Sequence, residues 1–333
     1  MSDTPSWNQR LARYAPSTRR SVAQLALTAA LFAAAVAAAG WARGASELAA
    51  LPFCALAGLF LVRLVIIQHD CGHRSFLRSV AACDWIGRGL SVLTLTPYAF
   101  WRRDHDKHHA NSGNLDRRGF GDIDTLTVSE YRALGPWGRL RYRAYRHPAV
   151  IFGLGPTWQF LVKARLPIGL RGMAAKKDAA SILLTNAAVA ALLAAAGLAF
   201  GFGAVAAVWL PIVLVAATAG IWMFFIQHQF PDTYWRRKPE WDFTDAAFKG
   251  CSFYDLPGWA HWLTGWIGYH HIHHLAARIP NYELARAFRE VAELRDNARA
   301  VSLRESLSFV GLSLWSEDMQ RLVSFREAAG CRA

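Results

Sequence analysis

The chain has 333 residues, 53% of them hydrophobic, with 14 tryptophans, a composition that argues against two soluble domains and for one membrane domain. Its net charge of +13 would suggest nucleic acid if the basic residues formed one stripe. They interleave with apolar runs instead, which removes that partner and leaves anionic membrane lipids as the counter-charge.

The N-terminal stretch Met1 to Pro16 is polar, and the apolar run after it lacks a cleavage site, so it reads as a span rather than a removable signal peptide. Spans are expected at about 21–41 and 48–68, joined by a short connection holding Arg43 and Glu47, and at about 181–200 and 204–227, joined by Gly201-Phe202-Gly203. Roughly 20 apolar residues suffice to cross a ~30 Å hydrocarbon core as a helix. The four spans therefore form two antiparallel hairpins, with Arg63 expected to snorkel to water near the end of the second. The polar, basic stretches 69–178 and 228–333 form a cap. By the positive-inside rule the cap and both termini face the cytoplasm.

Within the cap, 85–101 and 150–170 are apolar but short or interrupted, which suits interfacial or re-entrant helices, and 111–124 is an ordered loop rich in Gly, Asn and Asp. Trp259, Trp262 and Trp266 recur at i, i+3 and i+7, an aromatic stripe for the headgroup zone. Residues 283–326 alternate charged and apolar positions helically and read as one or two covering helices. The fold class expected is all-α integral membrane, one domain over 1–333. The five cysteines, Cys54, Cys71, Cys83, Cys251 and Cys331, form no CxxC pair and no even framework, so they read as reduced thiols.

Chemistry concentrates in the histidines. His105, His108 and His109 stand at i, i+3 and i+4, as do His270, His273 and His274, while His69 and His73 stand at i and i+4. On helices each set shares a face, with His271 about a quarter-turn away. His228 ends the fourth span at the depth where His69 leaves the second, which makes it a ninth candidate. His147 and His261 lack same-face partners and are not read as ligands, and Cys71 reads as a packing residue. Nine imidazoles exceed the needs of one ion, so two metals follow, although imidazole alone does not choose among Zn, Fe, Cu and Ni. Asp70, Asp104, Asp106 and Asp232 are placed to accept the second ring N–H of a ligand histidine.

A paired metal site at a membrane face suits activation of O₂ against an unactivated C–H bond. A dizinc hydrolase stays open on spacing alone, though such sites usually include carboxylate ligands. A divalent metal transporter would need ligands near the middle of its spans, whereas every cluster here lies at span ends or beyond.

HDCGH at 69–73, HDKHH at 105–109 and HHIHH at 270–274 resemble the three histidine boxes of the membrane fatty acid desaturases. The stretches 96–131, 165–169 (RLPIG), 227–235 (QHQFPDTYW) and 270–284 are similar to bacterial acyl-lipid desaturases of the delta-12 (omega-6) type. The resemblance implies a non-haem di-iron centre with His69, His73, His105, His108, His109, His270, His273 and His274 as iron ligands, and His228 matches the family's extra histidine. It further implies O₂ as co-substrate, a fatty acyl lipid gaining a cis double bond, a bacterial inner-membrane location, and electrons from a ferredoxin or cytochrome b5-type donor. No haem-binding donor domain is recognisable at either end, so the donor is expected to be a separate partner, with Arg236 and Arg237 as docking candidates. Asp70 stands where Glu is more usual in this branch. Hydroxylases and conjugases share the scaffold, so regiochemistry stays open.

Overall fold

The computed structural model describes residues 6–168, 170 and 174–330. Cys331, Gly169 and the first five residues of the polar N-terminal stretch lie outside the described residues. The fold is mostly helical and is organised around four long apolar helices. In chain order the labelled helices are α1 (Thr18–Arg43), α2 (Glu47–Gly72), α3 (Val80–Thr94), α4 (Tyr98–Asn111), α5 (Ala175–Phe200), α6 (Phe202–His228), α7 (His270–Leu275) and α8 (Asn281–Glu290). Helices α1, α2, α5 and α6 are 26 or 27 residues long. At 1.5 Å per residue that is about 40 Å, longer than a ~30 Å hydrocarbon core. The surplus turns carry His69 and His228 beyond the apolar stretch.

The α1/α2 seam is built from small residues. Ala35 and Ala39 of α1 pack in one cluster with Ala50, Cys54 and Ala57 of α2, all buried, and such side chains let two backbones approach closely where lipid offers no hydrophobic drive. Helix α6 crosses α2 at Gly58, where an added Cβ would lie 2.7 Å from Val215 Cβ and 3.0 Å from the Ile212 carbonyl. In α2, 61% of the apolar window is buried, against 28% in α1, 17% in α5 and 22% in α6. Helix α2 is thus the central post, and the other three turn apolar side chains such as Leu184 and Leu198 outward.

Arg63 does not snorkel. Its Nε donates to Thr28 Oγ1 at 3.1 Å, its Nη1 donates to the Trp262 carbonyl, and its guanidinium lies 4.3 Å from the Trp262 ring centroid. A buried cation satisfied by protein acceptors has no need to reach water, so Arg63 stitches α2 to the cap. The tryptophan stripe also breaks. The helix carrying Trp259 and Trp262 is Gly258–Leu263, and the chain then turns through Gly265 (φ +56°) and Trp266 (φ +60°). A Cβ at Gly265 would meet Ile66 at 2.8 Å. Trp266 leaves the stripe and stacks on His261, with centroids 5.5 Å apart.

The cap contains two small sheets that the reading of 283–326 as covering helices did not include. Strands β1 (Leu126–Thr127), β4 (Leu312–Ser316) and β5 (Arg321–Ser324) form one in the order β1-β4-β5, with β1 parallel and β5 antiparallel to β4; β2 (Ser252–Asp255) pairs in parallel with β3 (Arg299–Ser302). Within 283–326 only α8 and short turns of helix remain. The strands are two to five residues long and draw their partners from distant segments, so helical periodicity misread them. The 150–170 stretch is broken as its Gly and Pro content implies, into a π-turn (Val150–Leu154), a helix (Gly155–Leu161) and a 3₁₀ turn (Lys163–Arg165). Near the N-terminus Leu11 and Tyr14 are buried in the cap core beside Ile272, Leu275 and Leu284, which ties α1 to the histidine-bearing end of the fold.

The α2/α6 crossing gives a direct prediction. Gly58→Leu should destabilise the protein by about 1–3 kcal/mol through overpacking, read as earlier thermal unfolding in detergent. Gly40→Ala should leave unfolding within experimental scatter, since a Cβ there meets nothing within 4 Å.

Candidate metal centre

Each histidine that ends a span is preceded by a glutamine that locates the next histidine-bearing segment. Gln68 is buried; its Nε2 donates toward the Gly87 carbonyl (3.2 Å), Ser91 Oγ (3.0 Å) and the Thr96 carbonyl (3.0 Å), and its Oε1 accepts from Thr94 Oγ1 (2.6 Å). These bonds pin the end of α2 to the α3–α4 connection, from which His105, His108 and His109 follow. Gln227 Nε2 donates to the Ile267 carbonyl at 3.0 Å, three residues before α7 begins at His270. Asp70 Oδ2 accepts from the Asn281 amide at 2.7 Å and so anchors the start of α8. Gly72 is required by a close approach: a Cβ there would lie 2.8 Å from the Trp101 ring, which stacks on His105 at 4.7 Å.

The nine candidate histidines form two groups. His69, His73, His105, His109 and His273 make one, His108, His228, His270 and His274 the other, and within each group the ligand atoms lie within 4.8 Å of one another. The two triplets therefore do not act as single faces. Helix α4 sends its i, i+4 pair, His105 and His109, to the five-histidine group and His108 to the other. Helix α7 does the reverse, sending His270 and His274 to the four-histidine group and His273 across. At 100° per residue the i and i+4 positions lie about 40° apart, while i+3 lies about 60° to the other side of i, so a helix running between two centres serves both. The groups touch where His109 and His274 stack with centroids 4.1 Å apart.

Donor spacing matches metal ligation. Nε2 of His109 lies 3.1 Å from those of His105 and His273, and His270 Nε2 lies 3.0 Å from that of His228. Two nitrogens bound at right angles to one ion at about 2.1 Å would be roughly 3.0 Å apart. Buried Nε2 atoms of His73, His108 and His274 have no hydrogen-bond partner, a costly arrangement unless something accepts their lone pairs. Burial first, and neighbouring histidines second, hold His73, His105, His109, His270, His273 and His274 well below the ordinary imidazole range. They are neutral at pH 7, the form that binds metal. Among the described residues neither group contains a carboxylate ligand.

The acidic candidates separate. Asp70 Oδ1 is 3.5 Å from His69 Nδ1, too far for a firm bond, and that ring nitrogen has no hydrogen-bond partner. Asp104 and exposed Asp106 make no hydrogen bond to a histidine ring. Asp232 is at the surface, paired with Arg299 at 3.1 Å, because the chain turns away after His228. The partner that spacing could not reveal is Asp122, whose Oδ1 lies 2.5 Å from His108 Nδ1. It sits fourteen residues downstream in an irregular loop, where no periodicity points to a contact. His228 Nδ1 lies 3.1 Å from the Gly250 carbonyl.

The other singled-out residues lie outside both groups. His147 is exposed, His261 is buried in a stack with Trp266 and Tyr269, His271 bonds the Leu294 carbonyl at 3.0 Å, and Cys71 packs in the apolar core near Cys83. Arg237 is engaged with Asp116 and Glu317, each at 2.9 Å, so it braces the cap internally instead of standing free for docking.

The sequence profile described as "Fatty acid desaturase" matches residues 46–303. A "Fatty acid desaturase" of Bacillus subtilis is 43% identical over 281 residues, covering 84% of this chain and 79% of that protein. From Synechocystis, an "sn-1 oleoyl-lipid 12-desaturase" is 29% identical over 71% of this chain and 66% of its own, and an "sn-1 acyl-lipid omega-3 desaturase (ferredoxin)" is 30% identical over 71% and 65%.

Two outcomes follow from this geometry. Gln68→Leu should cost about 2 kcal/mol or more, since it strands buried carbonyl and hydroxyl groups, and should lower metal retention; wild-type unfolding and metal content would show that the clamp is dispensable. Metal-stripped protein should lose thermal stability as pH falls below about 6.5, because there the unfolded state takes up protons that the buried histidines refuse. A melting temperature constant from pH 7.5 to 5.5 would show that these rings are solvated.

Proposed function

The chain belongs to the fatty acid desaturase family, and on that premise we propose that it is an O₂-dependent acyl-lipid desaturase whose nine clustered histidines hold two iron ions and whose product carries a new cis double bond at the delta-12 (omega-6) position. The observation that carries the reading is the division of nine clustered imidazoles into two adjoining groups near the ends of apolar helices. Nitrogen donors of this kind suit iron and exclude the oxygen-seeking Mg and Ca.

When bound, the iron pair supplies reduction of O₂ coupled to removal of one hydrogen from each of two adjacent methylenes, with two electrons and two protons from outside and two waters released. The chain's own residues arrange that chemistry. His69, His73, His105, His109 and His273 hold one ion, and His108, His228, His270 and His274 the other. Trp101, stacked on His105, and Phe224, 5.3 Å from His108 and 5.1 Å from His228, wall the rings from water. An oxidant able to attack a methylene must be kept from solvent. The position of the two groups near the ends of apolar helices α2 and α6 supports approach of an acyl chain from the bilayer. The excess of Lys and Arg outside the two hairpin turns supports a cytoplasmic cap in a bacterial inner membrane.

Delta-12 specificity is supported by relatives from Synechocystis, Anabaena variabilis and Arthrospira platensis that are named oleoyl-lipid 12-desaturases. The omega-3 relative, of similar identity, supports a second reading, insertion nearer the methyl end. That protein's name also specifies ferredoxin, which supports a ferredoxin, or alternatively a cytochrome b5-type protein, as electron donor here.

The test is lipid profiling by gas chromatography and mass spectrometry in a host lacking polyunsaturated fatty acids, with ferredoxin and its reductase supplied. The wild-type chain should yield a diene whose position fixes regiochemistry, and His273→Ala should lower its yield at least 100-fold. Iron-loaded protein with a working donor but no new alkene would overturn the proposal, and a hydroxylated chain would reassign the enzyme to oxygen insertion.

A further inference from the structure

The two histidine groups differ in how their rings are supported. In the four-histidine group His108 is fully buried, its Nε2 lacks a partner, and its Nδ1 meets Asp122 Oδ1 at 2.5 Å. In the five-histidine group the carboxylate beside His69, Asp70, is directed to the Asn281 amide and leaves His69 Nδ1 unbonded. Asp122 forms no ion pair with a lysine or arginine among the described residues, and its Oδ1 is directed at His108. Its delivery is built into the loop. Gly119 (φ +93°) and Gly121 (φ +62°) turn the chain back over α4, and a Cβ at Gly121 would come within 3.5 Å of His108 Cβ.

We propose that Asp122 is a positioning residue for the four-histidine metal site: by accepting the Nδ1–H of His108 it fixes the tautomer, aims Nε2 into the group, and makes this site alone dependent on an outer carboxylate. The inference rests on the di-iron reading above. A carboxylate in that position raises the basicity of the imidazole it orients, and losing such a partner typically lowers metal affinity roughly 10–100-fold. Since α4 serves both groups, a ring freed at His108 leaves His105 and His109 held by Trp101 and by the helix itself. The effect should therefore fall on one ion.

The experiment uses the full chain in nanodiscs, loaded with ⁵⁷Fe, comparing wild type, Asp122→Asn and Asp122→Glu by iron stoichiometry, chelator competition and Mössbauer spectroscopy. Asp106→Asn, an exposed change on the same helix, is the control. Wild type and the control should hold two irons. Asp122→Asn should melt like wild type when metal-free, yet lose one iron to chelator at roughly 10–100-fold lower concentration, with the Mössbauer doublet of the retained iron unmoved. Asp122→Glu should recover part of the affinity. If Asp122→Asn does not fold, Asp122→Ser is read in the same way. Two irons of wild-type affinity with both doublets unshifted would overturn the inference while leaving the di-iron reading intact. Wild-type protein that takes up no iron would overturn that reading and this inference together.

Discussion

Nine imidazoles gather in two adjoining groups, with the ring nitrogens of His105, His109 and His273, and those of His228 and His270, only 3.0–3.1 Å apart, and the remaining architecture follows from that crowding. A charged ring in such a place would be repelled by its neighbours and starved of water, and an uncharged one has a lone pair with nowhere to go. A metal ion held by each group would resolve both difficulties. The protein's part is to bring rings from distant segments into register and hold them there, and the membrane helices do this by being longer than a bilayer requires. Their last turns deliver His69 and His228 to a common level, above which the cap closes.

Precision at that level comes from polar contacts that are satisfied completely or made where apolar contact alone would permit sliding. Gln68 fixes the approach to α4 and Gln227 the approach to α7, while Arg63 ties the middle of the bundle to the Trp262 carbonyl. Buried Arg146 performs a similar task within the cap, donating to the Asp124 and Leu312 carbonyls and to Gln229 Oε1. It thereby joins the loop that carries Asp122, the edge of β4 and the residue after His228. Stability in these regions is inseparable from ligand placement, because the same atoms serve both.

The basic character of the chain has two components in the structure. Some cations are structural, such as Arg237 between Asp116 and Glu317 and Arg118 beside Glu130. Others, such as Lys107 and Arg117, form no ion pair among the described residues and contribute to a field favourable to anionic lipid or an acidic protein. A count of charges along the sequence cannot separate these two uses.

What the sequence determined by itself was local. Spans of sufficient length, hairpins with short turns and histidines at i, i+3 and i+4 are all written in residue spacing, because helix geometry converts spacing directly into faces. Even the placing of His147 and His261 outside both groups agrees with their missing same-face partners, and that of His271 with its quarter-turn offset. Tertiary structure decided how the nine rings divide, since whether His108 and His273 join their helix mates or cross to the other group depends on where α2, α4, α6 and α7 lie relative to one another. It also decided which acid matters. Asp106 has helical proximity but faces away, Asp232 is drawn off to Arg299, and Asp122 reaches His108 through a glycine-turned loop. The strands within 283–326 were hidden for the same reason: a two- to five-residue strand acquires its identity from a partner far away in the chain, and no periodicity within it records that partner.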